Sequence, residues 1–487
     1  MPSIDPQEEW RLLVGGEWVA ARSTYPIVDP YTTDTVGHAP DAGVAEASAA
    51  ISAARGALDS WRSTPIEERC AFLGRLADLL EERAPGWAAL VQAETGSTVT
   101  ITETLQVAGG LIDRFRYYSR PRSIDSAELP LAQGASALGA AGLVAAAVHH
   151  EPVGVVLCIT PYNFPLTNVA GKIAPALAMG NTCIIKPAPQ DPLGILRLGE
   201  AIVDAGFPPG VVNIVVSSGA EVPAAMVASA DVNMVSFTGS TEVGRAIYAD
   251  GAATMTRVLM ELGGKGALVM TDDADVDAAV RAIATVWGFH SGQICTAPTR
   301  VICHRSIYDR TVETLGAVAG MLIPGDPTDR GTLVGPLISE AQRDRVEAFV
   351  ASGVEAGATL VCGGERPDLG GWFVAPTLLA DCTADMAVVR EEAFGPVVVV
   401  LPHDDDDEAV ALANDSDYGL FSYVYAGDLA RAYGIGRRLE TGNVALNSIQ
   451  PHMEAPFGGF KMSGIGRDRG VWGLMAYSEL QSVSWLA

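Results

Sequence analysis

The sequence is short of positive charge. Its 32 lysines and arginines face 58 aspartates and glutamates, which gives a formal net charge of −26. Nucleic acids and anionic membranes are both bound through clusters of basic side chains. We therefore expect neither a nucleic acid nor a membrane surface as a partner of this chain.

Long apolar segments and paired cysteines are missing as well. No uninterrupted apolar run reaches about 18 residues, the length that a membrane-spanning helix needs. The first ten residues are acidic and polar, unlike a signal peptide. The seven cysteines are widely spaced and form no CxxC pair. This pattern predicts no disulfide framework and no metal site, and it favours a reducing, cytoplasmic location.

The GxGxxG fingerprint of dinucleotide-binding proteins is absent too. Residues 464–470 (GIGRDRG) come near it, but the spacing is one residue too long and no predicted strand precedes them, so we interpret them as a turn. Residues 239–244 (GSTEVG) are better placed, because they follow an apolar strand and open a helix. Such a loop is either a tight turn or an anion site made of backbone amides and a helix dipole.

The length and the hydrophobic pattern predict a multidomain α/β protein. A chain of 487 residues is long enough for two or three domains. Helical runs cover 44–61, 66–94 (with Pro85 as a break) and 101–118. From 153 onward, apolar strands at 153–159, 182–185, 211–216 and 234–237 alternate with helices at 170–179, 192–205, 222–229 and 241–250. This alternation predicts a parallel sheet that binds ligands at the carboxyl ends of its strands. A second αβ series follows from about 266 to 440.

Two segments have unusual composition. Residues 131–150 are almost without charge, and they fit a linker, a buried hairpin or an exposed apolar surface that awaits another subunit. The acidic run 404–408 predicts the start of a helix, where negative charge is favourable.

A carboxylate and a thiol stand out as candidate chemistry. Glu261 ends an apolar strand before a glycine turn, and Cys295 lies in the loop after a helical run that Ser291 and Gly292 terminate. Together they supply a nucleophile and a base, although a lone thiol is more often a small buried apolar group. Lys186, at the end of another strand, is either a solvated strand end or a hook for ribose or phosphate.

These residues belong to seven ordered motifs that resemble the aldehyde dehydrogenase superfamily from about residue 12 to the C-terminus. The motifs are ITPYNFP (159–165), IIKP (184–187), SFTGSTEVG (236–244), MELGGK (260–265), GQIC (292–295), EEAFGP (391–396) and PFGGFKMSGIGR (456–467). The resemblance implies a Rossmann-type cofactor domain, an α/β catalytic domain and a small β oligomerisation element. Their expected bounds are 1–130 with 151–262, 263–460, and 131–150 with 474–487. It also implies a homodimer or homotetramer.

The resemblance further implies the roles of the site residues. Cys295 would attack the aldehyde, Asn163 would stabilise the oxyanion, and Glu261 would activate the water that hydrolyses the thioester. Lys186 would bind the adenine ribose of NAD or NADP, and Ser240 its pyrophosphate. Glu392 and Phe394 would hold the nicotinamide ribose and ring. Further cofactor contacts are expected from Ile159, Thr160, Pro161, Tyr162, Gly219, Phe237, Gly239, Gly244 and Leu262.

Departures from the common pattern concern the cofactor and the substrate. Pro189 stands where many NAD-preferring members carry a ribose-binding glutamate, so both NAD and NADP are expected. Gly171 stands where several small-aldehyde enzymes of the family have a tryptophan that lines the substrate pocket, and Asn168 adds a polar group nearby. With Phe164 and Phe457 as sides, a wide pocket for an aromatic or medium-chain aldehyde is expected. Asp468 stands where a glutamate is usual, so the side chain available for any role at that position is shorter by one methylene.

Two alternatives remain open from the sequence. A CoA-acylating semialdehyde dehydrogenase would pass its thioester to a thiol and would not use a glutamate base, so Glu261 counts against it. A non-catalytic binding protein on the same fold would have no chemical reason to combine Cys295, Glu261, Asn163 and Lys186.

Overall fold

The structure is a computed structural model that describes residues 4–121, 127–133 and 142–486. Two large sheets with parallel centres carry most strands, and helices cover their faces. Three small antiparallel sheets complete the chain. The predicted α/β class is thereby confirmed. Within the described residues, every helix is too short or too polar to cross a membrane.

The first sheet has eight strands, of which the five in its centre run parallel. In spatial order they are Glu17–Val19, Leu12–Val14, Val212–Ile214, Thr182–Lys186, Val155–Ile159, Met234–Thr238, Arg257–Glu261 and Gly464–Ile465. Their connecting helices are Pro165–Ala178, Leu193–Asp204, Glu221–Val227 and Thr241–Gly251. The predicted βαβ series is confirmed, with ends that differ by a few residues. Parallel strands place their carboxyl ends at one edge, which is where the motifs meet.

The interpretation of residues 464–470 as a turn is partly wrong. Gly464–Ile465 is a short strand that pairs antiparallel with Met260 and Glu261. Gly464 has φ +147°, and a side chain there would collide with the Met260 carbonyl oxygen. Only glycine allows this close approach, so the pairing depends on backbone contact that apolar periodicity does not reveal.

The N-terminal helices pack on the first sheet. They are Val44–Arg62, Ile66–Thr95, Val99–Ile101, a π-helical segment Thr102–Ile112, and Asp113–Tyr118. Pro85 lies inside Ile66–Thr95, so the predicted break is wrong. An interior proline costs a helix about 3 kcal/mol. Burial of neighbours such as Leu80 and Trp87 offsets it, since each fully buried large side chain contributes about 1.5–3 kcal/mol.

The second sheet has seven strands and forms the other large core. In spatial order they are Thr359–Cys362, Thr377–Ala380, Val397–His403, Arg300–His304, Ala267–Met270, Phe421–Tyr425 and Asn443–Leu446. Its helices are Val276–Gly288, Tyr308–Met321, Glu340–Glu355, Ala387–Arg390, Asp406–Asn414 and Leu429–Gly436. The acidic run does begin a helix: the side chain of Asp405 caps Asp406–Asn414 by accepting the Glu408 amide hydrogen bond.

A three-stranded antiparallel sheet includes most of the low-charge segment. Leu143–Pro152 pairs with Ser478–Leu486 on one side and with Ala127–Gln133 on the other. Residues 134–141 lie outside the described residues. The sheet exposes several large apolar side chains, namely Leu129, Leu131, Leu143, Leu480, Trp485 and Leu486. Two-stranded sheets join Ser23–Val28 to Thr35–Asp41 and Tyr418–Gly419 to Phe460–Lys461. A last short helix is Gly470–Met475.

Candidate active site

Glu261 is a buried carboxyl without a hydrogen-bond partner. It ends the strand Arg257–Glu261, its exposed fraction is 5%, and neither side-chain oxygen is bonded within the described part of the chain. Burial raises the pKa of Glu261 well above its usual value, and the negative charge of Asp468 adds to the effect. An orphaned buried acid is unfavourable for the fold, which points to a chemical use for this group.

The thiol loop begins with an unusual backbone. After the helix Val276–Gly288, the residues His290, Ser291 and Gly292 all have positive φ, at 53°, 53° and 75°. Gly292 packs on the loop that contains Gly395, where any side chain would collide with the Gly395 carbonyl. Two non-glycine residues in this region store strain, which is typical of functional loops.

The glycine turn after Glu261 brings the carboxyl and the thiol together. A side chain on Gly264 would collide with the carbonyl oxygen of Cys295, so the two loops touch through backbone atoms alone. Burial raises the pKa of the half-buried Cys295 thiol to about 12, helped by the negative charges of Glu392 and Glu261 and opposed by Arg469. The thiol is therefore mostly protonated at neutral pH, and only the small thiolate fraction can attack a carbonyl carbon.

Asn163 reaches the same loop from the first sheet. It follows the strand Val155–Ile159, is 5% exposed, and donates from its side-chain amide to the Gln293 carbonyl oxygen at 2.7 Å. That bond uses one of the two amide hydrogens and leaves the other for a ligand. Gln293, which the sequence patterns did not single out, is fully buried and fixes the loop through His290 and Ile338.

Lys186 lies at the carboxyl end of its strand, as expected. Its ammonium group donates to the carbonyl oxygens of Pro187 at 2.9 Å and Ser217 at 3.1 Å. Burial lowers the pKa of Lys186 to about 8, while Asp191 and Asp41 stabilise its charge. The lysine is positioned by backbone acceptors and carries one further hydrogen that a ligand can use.

The GSTEVG loop forms a cradle at the neighbouring strand end. Ser240 caps the helix Thr241–Gly251 by accepting the Val243 amide hydrogen bond at 3.3 Å. The Phe237 ring fills the space in which Gly239 would carry a side chain, and Leu262 does the same at Gly244. Neither glycine could carry a side chain, and the helix N-terminus that follows Ser240 is the part of this loop that favours an anion.

The other residues expected to contact a cofactor surround this edge. Thr160 is buried, and its hydroxyl has no partner within the described residues. Tyr162 meets Phe394 edge to face, with ring centroids 5.9 Å apart. Ile159 ends its strand, Pro161 is half-buried, and a Cβ on Gly219 would meet open space.

Glu392 links the second sheet to the glycine turn that follows Glu261. Its carboxylate accepts the Gly264 amide hydrogen bond at 3.0 Å, and burial raises its pKa to about 7. Phe394 has φ 53°, a strained conformation that turns the loop toward Tyr162. The orphaned Thr160 hydroxyl and the helix N-terminus that follows Ser240 are groups that a dinucleotide at the strand ends can use.

The expected substrate residues lie on two sides of the thiol loop. The Phe164 ring contacts Phe289 and His290, with centroids 5.7 and 5.4 Å away. Asn168 uses its amide locally, since it donates to the Phe164 carbonyl oxygen at 2.9 Å. Phe457 packs into the cluster that includes Cys295. Among the described residues, Phe164 and Phe457 make no ring contact with each other.

Three basic side chains near Glu261 were not indicated by the sequence patterns. Lys172 is 1% exposed on the helix Pro165–Ala178, where its ammonium group donates to the Ser236 hydroxyl at 3.2 Å. The Arg469 guanidinium lies 4.1 Å from the centre of the Phe457 ring. The Arg114 guanidinium occupies the space beside Gly171. A lysine inside the apolar helix at 165–178 is the one signal that could have been noticed.

The fold and the site define an oxidoreductase of the nucleotide-binding α/β type, with a cysteine nucleophile beside an unpaired acid. The family model "Aldehyde dehydrogenase family" matches residues 18–483. The chain belongs to the aldehyde dehydrogenase family, and it is an NAD(P)-dependent oxidoreductase that acts on aldehydes.

Individual relatives match along their whole length. The chain is 38% identical to a mitochondrial aldehyde dehydrogenase of Leishmania tarentolae, covering 97% of this chain and 94% of the relative. It is 36% identical to phenylacetaldehyde dehydrogenase of Pseudomonas fluorescens, covering 99% and 97%. A solved NAD⁺ complex of aldehyde dehydrogenase from Bacillus cereus superposes with a TM-score of 0.93 at 36% identity, covering 98% and 97%.

Proposed function

We propose that this protein oxidises an aldehyde to its carboxylic acid through a covalent thioester on Cys295, with Glu261 as the base for hydrolysis. The thiolate of Cys295 attacks the carbonyl carbon and forms a thiohemiacetal. The observation that supports this most directly is the unpaired Glu261 carboxyl. Glu261 ends its strand, and the glycine turn that follows it contacts the Cys295 backbone. A purely structural acid at that position would have hydrogen-bond partners.

The oxyanion that forms on attack needs preorganised donors. The free amide hydrogen of Asn163 and the backbone N–H of Cys295 serve this role, and each such donor typically lowers the barrier by about 2.7–4 kcal/mol. The Gln293 carbonyl orients the Asn163 amide before substrate arrives, so no reorganisation is needed during the reaction.

The cofactor is held by the strand-end residues. Lys186 binds the adenine ribose, Ser240 the pyrophosphate, and Glu392 with Phe394 the nicotinamide side. When bound, NAD(P)⁺ would supply the hydride acceptor for oxidation of the thiohemiacetal to the thioester. NAD is the cofactor in the Bacillus cereus complex. We propose that this chain also uses NADP, because proline at position 189 carries no carboxylate that would repel a 2′-phosphate.

Hydrolysis of the thioester then depends on Glu261. Its ionised carboxylate removes a proton from water, the hydroxyl adds to the acyl carbon, and the Cys295 thiol is released with the acid. Asp468 disfavours the ionised form, whereas Lys172 and Arg469 favour it. The carboxyl is thus surrounded by groups that adjust its basicity.

For the substrate, we propose an aromatic or medium-chain aldehyde between Phe164 and Phe457. The relative from Pseudomonas fluorescens is named for an aromatic aldehyde, phenylacetaldehyde. Gly171 contributes no side chain to this side of the helix Pro165–Ala178, and the half-buried Asn168 adds a polar surface.

For the assembly, we propose a homodimer or homotetramer that covers the exposed apolar residues of the three-stranded sheet. We propose the domain bounds 1–130 with 151–262 for the cofactor, 263–460 for catalysis, and 131–150 with 474–487 for oligomerisation. A cytoplasmic location suits the seven free cysteines.

An absorbance assay at 340 nm tests this function. Purified protein is given an aldehyde panel with NAD or NADP, with and without CoA. Reduction of the cofactor without CoA, together with release of free acid, supports the proposal. A strict requirement for CoA would indicate the acylating alternative, and cofactor binding without turnover of any aldehyde would indicate a binding protein.

The rate is expected to rise with pH. Burial raises the pKa of Cys295 to about 12, and it raises the pKa of Glu261 well above its usual value. Both act as anions, and the active forms therefore become more abundant as pH increases. Measured kcat/KM between about pH 6 and 9 should increase, by up to about tenfold per pH unit for a single ionisation. A flat or falling profile would contradict these protonation states.

Pro189→Glu is expected to shift cofactor use toward NAD. The new carboxylate can accept hydrogen bonds from the ribose diol and repel a 2′-phosphate, whereas proline lacks both a charge and an N–H. Charge-assisted bonds contribute about 1.5–3 kcal/mol, so the ratio of kcat/KM for NAD over NADP should rise about 10–100-fold.

The neutral variant Pro189→Gln is the control for this prediction, because it removes the proline without adding charge. The wild-type enzyme should turn over both cofactors. A wild-type preference for NAD above about a thousandfold, about 4 kcal/mol, would show that another group performs the role of the glutamate.

A further inference from the structure

Two arginines without ion-pair partners in the described part of the chain lie near Asp468. Arg114 comes from the helix Asp113–Tyr118, and Arg469 precedes the helix Gly470–Met475. Both are half-buried. In the described part of the chain, neither guanidinium forms an ion pair or a side-chain hydrogen bond, whereas the nearby Arg116 pairs with Asp78 and Glu81. A partly desolvated cation without a partner is unfavourable unless a ligand supplies one.

Arg114 occupies the space that the absence of a side chain at Gly171 creates. A Cβ on Gly171 would collide with a terminal nitrogen of Arg114, and the same position is 3.7 Å from a carboxylate oxygen of Asp468. Gly171 follows Asn168 by three residues, so the two share one face of the helix Pro165–Ala178. The wide pocket expected at Gly171 therefore contains a positive charge instead of open apolar space.

Arg469 approaches the reacting groups from the other side. Its φ of 67° is a strained conformation, and the guanidinium lies 4.1 Å from the centre of the Phe457 ring. Burial and the like charge of Arg114 lower its pKa to about 10, the negative charge of Asp468 opposes this shift, and Arg469 stays charged at neutral pH. A cation–π contact with an aromatic ring holds an arginine while leaving N–H groups in the guanidinium plane free to donate.

The acid nearest to both arginines cannot satisfy them. One oxygen of the Asp468 carboxylate accepts the backbone N–H of Arg469 at 2.7 Å. The remaining carboxylate charge is shared with the buried Lys172, which it stabilises. Glu261 must stay free for water, so two guanidinium groups are left for a ligand.

We propose that Arg114 and Arg469 bind an anionic group on the substrate, so that the preferred aldehyde carries a carboxylate at the end distant from its reacting carbonyl. This rests on the proposed aldehyde oxidation at Cys295 and narrows its substrate class. A carboxylate accepts two parallel hydrogen bonds from a guanidinium, a geometry that lysine cannot reproduce. An ω-oxo carboxylic acid of medium length or a carboxylated aromatic aldehyde meets both this requirement and the flanking phenylalanine rings.

Matched substrate pairs test the proposal. Wild-type kcat/KM is measured with 6-oxohexanoate against hexanal, and with 4-formylbenzoate against benzaldehyde. At least one carboxylated member should exceed its uncharged partner by at least about tenfold, mainly through a lower KM. Equal or better turnover of the uncharged member in both pairs would overturn the proposal and leave the proposed oxidation intact. No turnover of any aldehyde would instead contradict the proposed function itself.

Arginine variants assign the effect to these side chains. Arg114→Gln should raise KM for the preferred carboxylated aldehyde about 10–100-fold and change kcat/KM for its uncharged partner by less than about threefold. Arg469→Gln should raise KM for the carboxylated aldehyde by a similar factor and lower its kcat/KM more than that of the uncharged partner. Arg469→Lys retains the positive charge but lacks the paired N–H donors of a guanidinium group. It should therefore recover part of the affinity for the carboxylated aldehyde that Arg469→Gln loses. The control Arg116→Gln removes an arginine from the same helix whose partners lie on the surface. Equal losses for both members of a pair would show a structural role and overturn the assignment.

Discussion

Replacement of Cys295 by alanine is expected to reduce kcat by at least about 10⁴-fold, because no other group can form the acyl bond. Cofactor binding should persist, since Lys186, Ser240 and Glu392 are held by backbone contacts that do not involve the thiol. Steady-state rates and a fluorescence titration with NADH measure the two properties on the same preparation.

A second cysteine provides the control for the alanine variant. Cys362 is half-buried in the edge strand Thr359–Cys362 of the second sheet. Cys362→Ala should therefore retain wild-type rates. If Cys295→Ala kept substantial activity, or if it lost NADH affinity as completely as activity, the assignment of Cys295 as the nucleophile would fail.

Glu261→Gln is expected to separate the two halves of the reaction. Acylation proceeds without the water-activating base, so a burst of NADH close to one equivalent per active site should remain. Steady-state turnover should fall about 10²–10⁴-fold, the usual contribution of a general base. The fold should tolerate the change, because glutamine is close in shape to the protonated carboxyl that burial favours. Rapid-mixing absorbance at 340 nm measures both phases.

The exposed Glu391 is the matched control, since Glu391→Gln changes the same functional group close to Glu392. It should leave both phases at wild-type values. Loss of the burst in Glu261→Gln to the same degree as in Cys295→Ala would mean that Glu261 acts before the thioester forms, and the deacylation role would then be wrong.

The sequence predicted those parts of the molecule that depend on local pattern. Apolar strands alternating with helices indicated the parallel sheet, and motifs at strand ends indicated Lys186, Glu261 and the Gly239 loop. The continuous helix through Pro85 was not predictable, because its stability comes from packing against distant residues. The pairing of Gly464–Ile465 was missed for a similar reason, since it depends on a backbone approach between segments about two hundred residues apart.

For the site residues too, the sequence motifs predicted their positions along the chain but not their contacts with distant residues. Motif spacing indicated Cys295 and Asn163, yet nothing in it showed that the Asn163 amide bonds to the Gln293 carbonyl. The empty position at Gly171 predicted a wide pocket, but a charged side chain from a separate helix fills that space. Which residue occupies a vacancy is a property of the tertiary structure, and a single sequence does not specify it.

The contact between Gly292 and Gly395 has a mechanical consequence. The thiol loop and the loop that contains Glu392 and Phe394 meet through backbone atoms, with no side chain between them that could rearrange. A displacement of one loop must therefore move the other by a similar distance, because packed backbones cannot absorb it. Residues assigned to the nicotinamide and to the nucleophile therefore lie on two loops that can move only together.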